Sequence, residues 1–135
     1  MCRAGDDHGK AWRRIAVLSD GRIAGAFNLN DIRRGLEFDA DANWWISADQ
    51  VGQGLGAEGL RAVLDFALAD LPRGLGLQRV HAAIMPSNCA SIRLARHVGL
   101  RQGGGKASIR LCDRWVLHEI YERTARVSFA EQSVA

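Results

Sequence analysis

Four glycines stand within nine residues at Val51-Gly52-Gln53-Gly54-Leu55-Gly56-Ala57-Glu58-Gly59, between an aromatic apolar run and a helical pattern. Glycine lets the backbone come close to a ligand, and the first turn of a helix carries N–H groups with no intrahelical acceptor. With the helix dipole behind them, such donors suit a phosphate or diphosphate. Gly54, Gly56 and Gly59 also fit G-x-G-x-x-G. A dinucleotide site needs in addition a carboxylate about twenty residues on, to hold the ribose. From Leu71 to Cys112 there is no Asp or Glu at all, and no G-K-[ST] follows the glycines. Nicotinamide, flavin and nucleoside triphosphate are therefore disfavoured. What remains is a diphosphate ligand with a further phosphate, the profile of coenzyme A.

The charge distribution points the same way. The net charge of +3 hides an asymmetry: residues 1–70 hold eleven acids and eight bases, whereas 71–112 hold seven bases and no acid. Those bases (Arg73, Arg79, Arg93, Arg96, Arg101, Lys106 and Arg110) favour an anionic partner or form a solvated basic face. No Trp, Tyr or Phe lies among them, which argues against nucleic acid. The chain of 135 residues suits one domain, 1–135, with a core over about 12–121, a short N-terminal arm and a C-terminal tail. With 47% hydrophobic and 24% charged residues it is neither disordered nor collagenous. No apolar run has membrane-spanning length, and the opening residues lack a signal segment. Cys2, Cys89 and Cys112 are odd in number and far apart, which predicts reduced thiols, no metal and a cytoplasmic setting.

The elements that must position the loop are legible in outline. Residues 12–20 and 22–30 are apolar runs joined at Asp20-Gly21, a hairpin signal. Residues 43–48 read as a buried strand, with 31–42 a strand end, a loop and the start of the next strand. Leu60, Val63, Leu64, Ala67, Leu68 and Leu71 form one helical stripe, stopped by Pro72. Residues 79–85 read as a strand containing a packed His81. Asn88 is a good N-cap for a helix with Ile92, Ala95 and Val98 inward, ending at Gly99. Leu100–Gly105 reads as a short strand and Ser108–Tyr121 as a long final one. The order β-β-β-α-β-α-β-β is a mixed α/β layer structure.

Several segments, in order, resemble the GNAT superfamily of acyl-CoA-dependent N-acyltransferases, and most of all its ribosomal-protein-alanine N-acetyltransferase branch. DGRIAGAFNLNDIRRG looks like that branch's second and third strands, and NWWIS is similar to its fourth. VGQGLGAEGLRAVLDFAL looks like the acyl-CoA loop and helix. RVHAAIMPSNCASIRLARHVGLRQGG is similar to the fifth strand and Asn-x-x-Ser helix, and DRWVLHEIY to the closing strand. The resemblance implies a splayed mixed sheet with acetyl-CoA as cosubstrate. It implies that the backbone of Ile46 and Ser47 pairs with the pantetheine arm. The loop of Val51, Gly52, Gln53, Gly54, Gly56 and Ala57 would hold the pyrophosphate. Asn88 would hold the pantetheine side, and Ser91 would sit by the thioester sulfur.

Three departures stand out. Val51 replaces the Arg or Gln that usually opens the loop, and Leu100 replaces a usual aromatic. About eleven residues precede Trp12 where the family has a first strand and two helices, so those elements are expected to be lacking. The resemblance then allows three outcomes: a shortened member, a half-site needing a partner subunit, or a non-catalytic acyl-CoA-binding module. The leading expectation is an N-acetyltransferase acting on a peptide N-terminus or small amine by direct attack in a ternary complex. A homodimer is open, and neither nucleic acid nor membrane is expected as a partner.

Such transfer needs a neutral amine, a polarised carbonyl and a proton for the departing thiolate. The position at which many relatives carry an acid tyrosine is Ala95, and the one tyrosine is Tyr121, which leaves Ser91 as the expected donor. A backbone N–H near Ser47 would polarise the carbonyl. Glu37, Asp39 and Asp41 read as a solvated acidic loop able to reach the acceptor through water, and none is assigned as base. Trp44 and Trp45 alternate in direction, one toward the core and one toward an acceptor pocket. Cys89 reads as an inert small residue.

Overall fold

The computed structural model describes residues 9–125, so Cys2 and the C-terminal tail lie outside the described residues. Among the described residues, six strands form one sheet in the order β1-β2-β3-β4-β6-β5. They are β1 (Trp12–Val17), β2 (Ile23–Arg34), β3 (Phe38–Ile46), β4 (Arg79–Ile84), β5 (Arg101–Leu111) and β6 (Arg114–Thr124). Every pairing is antiparallel except β3 with β4. Helix α1 (Leu55–Leu68) and helix α2 (Cys89–His97) are the two connections around that parallel pair. A parallel neighbour requires a crossover, which α1 supplies between β3 and β4, while α2 leads from β4 on to β5.

The core is the apolar face of the sheet against the helices. Leu60, Val63, Leu64 and Ala67 of α1 are buried, as the stripe predicts. Phe27, Leu29, Ala40, Ala42, Val80, Ala82 and Tyr121 meet them in one cluster. Gly59 is required at this contact, since a Cβ there would lie 2.4 Å from the Phe27 ring. Leu71 departs from the expected stripe: α1 stops at Leu68, Ala69 is extended and Leu71 is exposed. Leu100 is fully buried, so the usual aromatic is replaced by a core leucine.

Asp20-Gly21 does turn the chain between β1 and β2, with Gly21 at φ +90° and Arg22 ion-paired to Asp20 at 2.8 Å. Two expected boundaries are corrected. The strand assigned to 43–48 begins at Phe38, so Asp39 and Asp41 belong to β3 and not to a loop. The long final strand is instead a hairpin, because the chain reverses at Cys112 and Asp113, with Cys112 at φ +55°. A left-handed cysteine gives no glycine signal, and the reversal passes unmarked in the sequence.

Candidate functional site

The parallel ladder between β3 and β4 is short: it pairs Asp39↔Arg79, Ala40↔Val80 and Asp41↔His81 and then stops. Both strands run on, to Ile46 and Ile84, paired to their outer neighbours β2 and β6 but not to each other. The cleft between them opens into a cavity of about 520 Å³ lined by Trp44, Trp45 and Ile46 on one side and Asn88, Ser91, Arg93 and Leu94 on the other. The glycine loop closes one end through Val51, Gly52, Gly54, Gly56 and Ala57. Gln53 and Ser47 are not among the lining residues. Both tryptophans line the cleft, Trp44 half-buried against the core and Trp45 exposed.

Loop geometry follows from its glycines. Gly52 and Gly54 sit at φ +84° and +80°, in the left-handed region, with open space where a Cβ would be. Gly54 is the N-cap of α1, and no side chain caps the helix. The amides of Leu55, Gly56 and Ala57 therefore have no intrahelical acceptor, and no backbone carbonyl takes those of Gly52 or Gly54 among the described residues. Gln53 differs, its amide donating to the Gln50 carbonyl at 3.3 Å. Gly56 has a second role: a Cβ there would come within 3.1 Å of the Leu94 side chain of α2. Arg93 is the cation at this cavity, one of seven that the sequence could not rank.

Along β3 the backbone groups alternate between neighbours. The Ser47 amide donates to the Ala24 carbonyl at 2.7 Å, on the β2 side. Its hydroxyl bonds to Asp49, whose carboxyl that bond, first of all, holds below its ordinary value. Ser47 thus has its amide committed away from the cleft. By the same alternation, Trp44 and Ile46 turn their N–H and C=O toward β4, where the ladder has already ended.

A smaller cavity of about 130 Å³ continues the cleft, shared by Trp44, Asn88 and Ser91 and reaching Asn43, Met85 and His118. Asn88 is the expected N-cap: its Oδ1 accepts from the Ser91 amide at 3.2 Å. The cap leaves the Asn88 NH2 and the Ser91 hydroxyl as the polar groups that this turn presents to both cavities. His118 is buried on β6, with Nδ1 2.9 Å from the Val116 carbonyl. Sequence reasoning missed it, since no local pattern shows that β6 passes beneath this end of the cleft.

The acidic residues and His81 differ from expectation. Asp39 is buried, bonded by Arg33 at 2.6 Å and 3.3 Å from His81 Nε2. The Arg33 guanidinium holds its carboxyl below the ordinary range, with His81 assisting and burial opposing. Arg33 also reaches Asp41 at 3.5 Å, and His81 Nδ1 lies 3.7 Å from Glu122. His81 is therefore not in the apolar core but in a charged cluster on the opposite face of the sheet. Asp39 is a depressed, paired carboxylate, the wrong condition for a base. Glu37 is exposed outside the strand. Cys89 and Cys112 are exposed free thiols, and the described residues contain no group of three or more metal-ligating side chains.

Comparison with known proteins agrees with this architecture. Residues 2–101 match the family model for the acetyltransferase (GNAT) domain, and the chain belongs to that family. It is 28% identical over 107 residues to a probable N-acetyltransferase, YjcK, of Bacillus subtilis, covering 78% of this chain and 57% of that one. Among solved structures it superposes on Mycobacterium smegmatis RimJ in complex with CoA-disulfide at TM-score 0.78 and 24% identity, over 94% of this chain and 60% of that one. Ribosomal-protein-S5-alanine acetyltransferase from Vibrio fischeri also gives TM-score 0.78, at 18% identity over 87% of this chain and 63% of that one. A spermidine N-acetyltransferase SpeG variant from Vibrio cholerae gives 0.73 at 14% identity, over 87% and 67%. The fold is the mixed, splayed sheet of this family, and the chain spans less than two thirds of the Bacillus relative's length.

Proposed function

We propose that this GNAT-family chain is an acetyl-CoA-dependent N-acetyltransferase, moving an acetyl group to a primary amine by direct attack in a ternary complex. The observation that carries the reading is the cleft itself: a β3 edge that no longer pairs with β4, a run of loop amides without backbone acceptors and a capped Asn-x-x-Ser turn around one cavity. Its volume, about 520 Å³, lies in the range of cofactor clefts, ~300–1,000 Å³. The amides from Gly52 to Ala57, with Gln53 excepted, would hold the diphosphate beside the Arg93 guanidinium. The backbone of Ile46 and Trp44 would pair with the pantetheine arm as an added strand. Asn88 would offer its NH2 to the arm's carbonyl, and Ser91 its hydroxyl proton to the departing sulfur. Acetyl-CoA supplies the activated acyl group.

The acceptor class follows from proton chemistry. A free N-terminal amine has a pKa of ~7.7–8 against ~10.4 for lysine, so its neutral fraction near neutrality is larger by a few hundredfold. Cavities lined by no carboxylate favour the less basic amine. Acetyl-CoA binding by titration calorimetry, followed by thiol release with α-amino peptides and polyamines, tests the reading. Binding with thiol release is expected. Tight binding without release from any amine would leave an acyl-CoA-binding module; no binding would end the reading.

A further inference from the structure

We propose that His118 is the general base of the reaction, an inference that rests on the acetyl-transfer reading of the cleft. The residue is 7% exposed and lines the 130 Å³ cavity together with Asn88 and Ser91. A carbonyl oxygen can only accept, so the 2.9 Å contact to Val116 fixes the hydrogen on Nδ1. The neutral ring then keeps its lone pair on Nε2, the nitrogen free to take a proton. No other titratable side chain lines that cavity among the described residues.

The surrounding elements leave His118 alone in this role. Its cross-strand partner on β5 is Ala107. Lys106 and Glu119 pair at the adjacent position, where side chains face the other side of the sheet. On its own face Glu122 lies four residues along β6, ~13 Å away at strand spacing, and is occupied by His81 and Arg79. Across the cleft β3 offers Asn43, while Asp41 is held by Arg33. From α2, Arg93 faces the larger cavity.

The proton account closes. The amine lone pair forms the C–N bond to the acetyl carbon while the C–S bond breaks. The proton leaving nitrogen passes through cavity water to His118 Nε2. Ser91 gives its hydroxyl proton to the departing sulfur, and the imidazolium returns one to Ser91 by the same water.

His118→Asn is the test, because the asparagine NH2 can keep the bond to Val116 while removing Nε2. Acetyl-CoA affinity by calorimetry should be unchanged. Turnover of trialanine or spermidine, whichever the wild type accepts, should fall about 100-fold, the lower end of general-base effects. The acid limb of the kcat/KM profile, with KM expressed as neutral amine so that the substrate's own ionisation is divided out, should flatten. In the wild type, the imidazole proton resonance absent from the variant's spectrum should titrate over the same pH range as that limb. Turnover within a few-fold of wild type, or a resonance that titrates apart from the limb, overturns the base alone. Wild-type protein that binds acetyl-CoA but releases no thiol overturns the transfer reading as well. His118→Gln carries the same test if the asparagine variant unfolds, and the wild-type resonance and limb are compared in either case.

Discussion

The two ends of the β3–β4 seam use the same two strands for opposite purposes. At the start, Ala40 and Val80 are fully buried in the core, and the other face is tied by Arg33, Asp39, His81 and Glu122. At the far end the strands carry Trp44, Ile46 and Ile84 with no ladder between them, and α2 begins beside the gap. The first end spends its polar side chains on one another. The second leaves backbone groups and a serine unspent. Stability and binding are thereby separated along one pair of strands, and substitutions at one end should leave the other intact.

The largest expected effect is at the open end. Ser91→Ala removes a hydroxyl from a helix turn while leaving the backbone amide that Asn88 caps. Turnover should fall about 100-fold, in the range for loss of a positioned acid, with acetyl-CoA affinity and thermal midpoint unchanged. Steady-state kinetics beside calorimetry would check this, and equal rates would remove Ser91 from the chemistry. Next comes Gly54→Val. There is space for the side chain, but φ +80° is strained for a β-branched residue, at roughly 1–3 kcal/mol. Because the loop is exposed, we expect its amides to reorient and acetyl-CoA affinity to drop about tenfold, the equivalent of ~1.4 kcal/mol. Retained affinity would show that the loop serves only to turn the chain.

What was legible in the sequence was what is local. Asp20-Gly21, the glycine loop, the α1 stripe and the Asn88 cap each depend on neighbours within a turn, and the structure has them, with the stripe ending at Leu68 short of the expected Leu71. Asp39 and Asp41 alternate with Ala40 and Ala42, a strand period that carboxylates disguised. Their presence in a strand depends on Arg33, which β2 brings alongside through an irregular register near Asn30. His81 and His118 were illegible for a related reason. Their roles are set by which strand lies next to β4, and no spacing within either segment reports that β6 does. Ser47 shows the limit of resemblance at atomic scale, since alternation along β3 decides which amide faces the cleft.

The smallest effect, and the one that isolates the closed end, is acid sensitivity. Asp39→Asn keeps the side chain's shape but removes the charge facing Arg33 and His81. Asp39 is itself buried, yet Arg33 is about half exposed, so solvent screens the pair and the loss at neutral pH should be about 1–2 kcal/mol. Asp39 has a folded-state pKa lowered by Arg33. Its contribution is therefore complete above the unfolded-chain value, ~3.9, and is lost as pH falls from there through the folded-state value. The exposed Asp20 and Asp49 are lowered too, but they are present in both proteins and cancel in the difference. Denaturant melts of wild type and variant across the acid range should thus converge as pH falls and stay parallel above the unfolded-chain value. Curves that remain equally separated in acid would mean that Asp39 acts through shape alone, and acetyl-CoA affinity altered by the variant would mean that the two ends of the seam are not independent.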